Sequence, residues 1–101
     1  MKFVIKNLPQ ENIYNLMKRI GYHFQTKNKE KEELIFVQPL APSGYPRFHL
    51  YLKRDEKQRE IIFNIHLDQK KAIYKGTPAH SAESQNQLIQ KEAERIKKFF
   101  S

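Results

Sequence analysis

The sequence predicts an α+β two-layer sandwich: an antiparallel β-meander with two helices packed on one face, in the order β-α-β-β-β-α. Three observations lead there. Arg47-Phe48-His49-Leu50-Tyr51-Leu52-Lys53 and Ile61-Ile62-Phe63-Asn64-Ile65-His66-Leu67-Asp68 alternate in polarity with the period of half-buried strands. Two other segments each carry one apolar stripe at helical spacing, and each stripe needs a partner. The connections between the later strands are short, which favours antiparallel neighbours, so both helices are expected on the same side of the sheet.

Taken in order, Lys2-Phe3-Val4-Ile5-Lys6 is short and β-branched and reads as a strand. Pro9 suits the first turn of a helix, where its missing N–H has no intrahelical partner. Ile13, Leu16, Met17 and Ile20 follow at i, i+3, i+4 and i+7, and Gly21 ends the helix. Residues 25–33 are polar and read as an exposed loop. Leu34-Ile35-Phe36-Val37 reads as a strand, and Pro39, Pro42, Gly44 and Pro46 make the next stretch a restrained loop. The two alternating strands come next. Ile73 marks a short edge strand within residues 70–75, and Gly76-Thr77-Pro78-Ala79-His80 turns the chain. Ser81 and Ser84 are N-cap candidates for a last helix whose apolar face is Leu88, Ile89, Ala93, Ile96, Phe99 and Phe100. The 101 residues carry no internal repeat or linker and read as a single domain, 1–101.

The absence of cysteine excludes a disulfide scaffold and cysteine-ligated metal centres. No run approaches the about 18 apolar residues that a membrane span requires, and residues 1–10 are too short and polar for a signal peptide. A soluble, cytoplasmic protein with no membrane partner is expected. Lys and Arg number 19 against 11 Asp and Glu, a net charge of +8. Such a field favours polyanions. Fourteen of the basic residues are lysine and Ile is abundant, a bias that an AT-rich genome produces without any function.

Strand parity supplies the candidate site. Phe48, Leu50 and Leu52 must share a face with Ile61, Phe63, Ile65 and Leu67. His49, Tyr51, Asn64, His66 and Asp68 then share the other, flanked by Arg47 and Lys53. One allowed register pairs His49 with His66, Tyr51 with Asn64 and Lys53 with Ile62. A two-residue slip pairs Arg47 with His66 and His49 with Asn64, and a one-residue slip would turn the apolar set to water.

Three chemistries fit this face. Nucleic-acid binding, RNA ahead of DNA, would use Arg47, Tyr51, Lys53, Asn64 and His80, with rings stacking on bases and cations on phosphates. Metal-independent endoribonuclease chemistry would use His49 and His66 as the acid–base pair, without a cofactor. Metal binding would take the two histidines and Asp68. The same residues are also ordinary on a solvated strand face. A protein-interaction module or homodimer, joined through an edge strand or the Phe99-Phe100 end, is the remaining class. His23 and His80 read as turn residues, with His80 placed to meet an anion at a helix N-terminus.

Leu16-Met17-Lys18-Arg19-Ile20-Gly21-Tyr22 resembles the end of the first helix of HicA-type mRNA interferase toxins, small relatives of the double-stranded-RNA-binding fold. Ser43-Gly44-Tyr45-Pro46-Arg47-Phe48-His49 stands where those toxins carry a Gly-Ser-His type motif. The resemblance implies an α-β-β-β-α order, ribonuclease activity and a catalytic role for His49. The final helix of the RNA-binding domains is similar to Lys91-Glu92-Ala93-Glu94-Arg95-Ile96, with Ser84-Gln85-Asn86-Gln87 in place of their lysine cluster. Separately, His66-Leu67-Asp68-Gln69-Lys70-Lys71, Gly76-Thr77-Pro78-Ala79-His80-Ser81 and Glu92-Ala93-Glu94-Arg95-Ile96-Lys97 resemble the C-terminal half of small uncharacterised proteins from candidate-phylum bacteria. That resemblance implies one domain and no established activity. It singles out His66, Asp68, Thr77, His80 and Ser81 as a second constellation, with His80 approaching His66.

Overall fold

The computed structural model describes residues 1–6, 9–69 and 81–101, with the side chains of residues 81–84 excepted. Five strands form one antiparallel sheet: β1 (Lys2–Lys6), β2 (His23–Asn28), β3 (Glu33–Pro39), β4 (Arg47–Asp55) and β5 (Glu60–Asp68). Two helices accompany them, α1 (Ile13–Arg19) and α2 (Ser81–Phe100). The strand order is β1-β5-β4-β3-β2, so strands two to five form the meander and β1 closes on β5. This is the predicted α+β sandwich with one strand more than expected. The extra strand, β2, occupies part of the polar run read as a loop. The proposed edge strand at Ile73 and the turn at residues 76–80 lie outside the described residues.

One face of the sheet carries the core. Phe3, Ile5, Phe36, Phe48, Leu50, Leu52, Ile61, Phe63 and Ile65 are buried there with Ile13, Leu16, Met17 and Ile20 of the first helical segment and Ala93 and Ile96 of α2. Phe3 stacks on Phe63 with centroids 5.0 Å apart. Burying a side chain of this size contributes about 1.5–3 kcal/mol, and together they hold both helices on one side.

The first helix starts later than Pro9 suggested. Asn12 caps it, its Oδ1 accepting from the N–H groups of Tyr14 and Asn15. At its end Gly21 N–H donates to Lys18 O and Tyr22 N–H to Met17 O. That is a Schellman closure, with Gly21 at φ +100°. In α2 the buried stripe is narrower than predicted. Ala93 and Ile96 are buried, and Ile89 and Phe100 pack against the core. Leu88 and Phe99 are exposed, and Phe99 meets the Arg19 guanidinium at 5.6 Å.

Glu92 was not anticipated. It lies on the buried side of α2, only 7% exposed. Tyr22 Oη donates to its Oε2 at 2.7 Å, and Arg95 Nε and Nη2 donate to its two oxygens at 2.7 Å. Arg95 Nη2 also donates to the Ile20 carbonyl at 2.8 Å. This network ties α2 to the turn after α1. Burial, reinforced by Glu92, pushes the Tyr22 hydroxyl far above its ordinary pKa, so it stays a donor.

Candidate nucleic-acid interface on the open sheet face

Among the described residues no helix lies over the opposite face of the sheet, and four registers define its rows. One row is His23, Val37, His49, His66. The next is Thr26, Ile35, Tyr51, Asn64, Lys2, and the third is Asn28, Glu33, Lys53, Ile62, Val4. The β4–β5 hairpin thus takes the first of its two allowed registers, with His49 opposite His66, Tyr51 opposite Asn64 and Lys53 opposite Ile62.

The rings form a continuous set. His49 stacks on Tyr51, centroids 4.8 Å apart and planes 21° apart. Tyr51 meets His66 edge to face at 5.7 Å. His49 Nδ1 lies 2.8 Å from Asp68 Oδ2 and donates to that carboxylate. Arg47 Nε donates to the same oxygen at 3.4 Å, and the Arg47 guanidinium lies 4.7 Å over the Tyr45 ring. Tyr45 is held by the β3–β4 loop, which has a cis Tyr45–Pro46 bond and a Leu40 N–H donating to Pro46 O. Asp68 therefore fixes the plane of His49, and His49 fixes Tyr51.

The two histidines differ in environment. His49 is 18% exposed, and its Nε2 is covered and has no hydrogen-bond partner among the described residues. His66 is exposed. Its pKa is lowered, first by partial burial, then by the positive charge on the Met1 amino group, then by His49, with Asp68 opposing. The shift favours the neutral ring, which can both stack and hydrogen-bond.

Charge on this face alternates. Register places Lys53 opposite Glu33, Lys6 opposite Glu60 and Arg47 opposite Asp68. Lys2 lies in the Tyr51 row and Lys53 one row along, both exposed. Asn64 sits between Tyr51 and Lys2. Among the described residues no group of three His, Asp or Glu side chains could hold a metal ion. No helix among them is long and apolar enough to cross a membrane.

Of the residues expected at this site, His49, Tyr51, Asn64, His66 and Lys53 share the face. Arg47 joins them through Asp68, while His80 and Thr77 lie outside the described residues. His23 is an addition: it opens β2 rather than sitting in a turn, and it lies in the same row as His49 and His66 with Val37 between. No sequence signal marked it, because β2 was not legible as a strand. The chain matches no family model, no curated protein and no solved structure.

Proposed function

We propose that this protein binds single-stranded RNA on the open face of its sheet, with Tyr51 and His66 as the stacking platform. The carrying observation is the ring set His49–Tyr51–His66 on the face that no helix covers among the described residues, braced from one end by Asp68. Stacking on an aromatic ring suits every base and is worth about 1–3 kcal/mol per base. A ring already held in place loses little conformational freedom on binding. Asn64 offers its amide N–H groups to base edges beside the platform, while its Oδ1 accepts from the Met1 amino group at 3.5 Å. Among the described residues Lys2 and Lys53 are in no ion pair and can meet phosphates, while Arg47, engaged by Asp68 and Tyr45, serves to orient. The net charge of +8 supplies the long-range attraction that brings a polyanion to the surface. This reading sets the protein in the cytoplasm. A titration of labelled single-stranded RNA, with duplex RNA beside it, tests the reading. Salt-sensitive binding to the single strand supports it, and no binding at micromolar protein sinks it.

A second reading has one observation in its favour. The His49–Asp68 pair with His66 across the hairpin has the composition of an acid–base set. As a metal-independent endoribonuclease, the protein would use Nε2 of His49, and what covers that atom would first have to move. Cleavage that survives a chelator and disappears in His49→Ala would favour this reading over binding alone.

A further inference from the structure

We propose that an open cleft at the hairpin-tip end of the sheet is the phosphate-gripping half of the same RNA site. One strand would run from the Tyr51–His66 platform past Lys53 into it. The inference rests on the platform reading above.

The cleft, about 980 Å³, follows from the lengths of the elements. The β2–β3 and β4–β5 turns project from the same end of the sheet. Helix α1 has seven residues, about 10 Å at 1.5 Å per residue. Strand β4 has nine, about 30 Å at 3.4 Å per residue. A helix that short leaves the sheet end open, with Tyr14 of its first turn at the border.

The rim is cationic. Lys27, Lys29, Lys53, Arg54 and Lys57 line it and are exposed, and none of the five is in an ion pair among the described residues. Three acids, Glu32, Asp55 and Glu56, also line it, and Asp55 is engaged in accepting from Gln58 N–H at 3.1 Å. The cations are spread along two hairpins rather than converging on one point, which suits successive phosphates better than a single anion. Tyr14 is 42% exposed and packs edge-on against Phe24 at 5.1 Å, so it offers a second ring on which a base can stack.

Lys53 joins the two halves. It lies on the open face two residues along β4 from Tyr51, about 7 Å away, and it also lines the cleft, whose Lys27 and Arg54 fall by register on the helix side with Leu34 and Ile61, so the strand passes round the sheet end at Lys53. A short oligonucleotide can occupy the platform alone. One of roughly ten nucleotides reaches both halves, within the span of single-strand sites on small domains.

The test titrates labelled oligouridylates of about 4 and about 12 nucleotides against the full chain and against a variant carrying Lys27→Gln, Lys29→Gln, Arg54→Gln and Lys57→Gln. All four positions are exposed, and an unchanged thermal transition checks the fold. The variant should bind the longer RNA at least about 10-fold more weakly. Its logarithmic salt slope should fall by roughly 3, four contacts at about 0.7 each for a single strand. The short RNA should lose far less, only the share owed to the lower net charge of the variant. Unchanged binding of the longer RNA by the variant would overturn the cleft's role and leave the platform standing. Failure of wild type to bind either RNA would bring down both. A polyglutamate peptide that competes in the cleft as well as RNA would assign it to an acidic protein instead and overturn the proposal.

Discussion

His49 Nδ1 and Asp68 Oδ2 lie 2.8 Å apart, and this contact sets the orientation of the ring on which Tyr51 stacks. Residue 68 is the last of β5 and residue 47 the first of β4, so the carboxylate sits where Arg47 and His49 both reach it. Asp68→Ala should lower stability by about 1 kcal/mol, the scale of one charge-assisted contact at a partly exposed site. A shift in the denaturant midpoint at constant slope would report it. RNA affinity should fall severalfold in the same variant, because the Tyr51 ring is no longer braced. Unchanged stability and affinity would mean that the contact orients nothing.

The lowered pKa of His66 sets a direction for pH dependence. The unfolded chain protonates this residue near the ordinary imidazole value of about 6.5, and the folded chain does so only at lower pH. In that window the unfolded state holds more protons, so stability falls on acidification from about pH 6.5 toward the folded pKa. His66→Gln should flatten this part of the profile. An NMR titration that finds His66 protonating above the ordinary value would reverse the assignment.

The buried network on α2 predicts an order of effects. Arg95→Ala strands a carboxylate that is 7% exposed, and breaking a buried pair this way costs about 3 kcal/mol. Glu92→Gln leaves an arginine that is 45% exposed and can turn to water, so the loss is nearer 1–2 kcal/mol, that of weakened hydrogen bonds. Urea unfolding of the two variants would show the order, and the reverse order would contradict the account.

Gly21 has φ +100°, and a Cβ there would lie 2.5 Å from Gln38 Nε2. Gly21→Ala should therefore cost about 1–2 kcal/mol from the left-handed backbone, with a further steric share. Repeating the substitution in a Gln38→Ala background should recover only the steric share. Full recovery would place the whole cost in the side-chain contact.

The hairpin was legible because period-two alternation and burial of one face leave few registers. Which of the two allowed registers forms depends on the turn after Asp55 and on neighbouring strands, which alternation does not encode. Strand β2 was hidden for a related reason. It is an edge strand exposed along most of its length, and without a regularly buried face it carries no alternation. Phe24, packed beside Tyr14 and Phe36, was its one apolar mark. Asn12 was a readable cap that Pro9 overshadowed. Glu92 stands three residues from Ile89 and next to Ala93, on the edge of the apolar stripe. A charged residue there is a signal for a buried partner, but its partner Tyr22 lies 70 residues away. The carboxylate bracing His49 was recognised as part of the patch, yet its contact depends on side-chain geometry that spacing does not reveal.

The most direct measurement is fluorescence anisotropy of a labelled single-stranded RNA with wild type, Tyr51→Ala and His66→Ala at two salt concentrations. Loss of one stacked base, about 1–3 kcal/mol, corresponds to roughly 5- to 150-fold weaker binding at a conversion of about 1.4 kcal/mol per decade. Wild type should bind with micromolar or tighter, salt-sensitive affinity, and Tyr51→Ala should lose affinity in that range, with a smaller loss for His66→Ala. Wild-type binding that both variants retain in full would contradict the stacking platform.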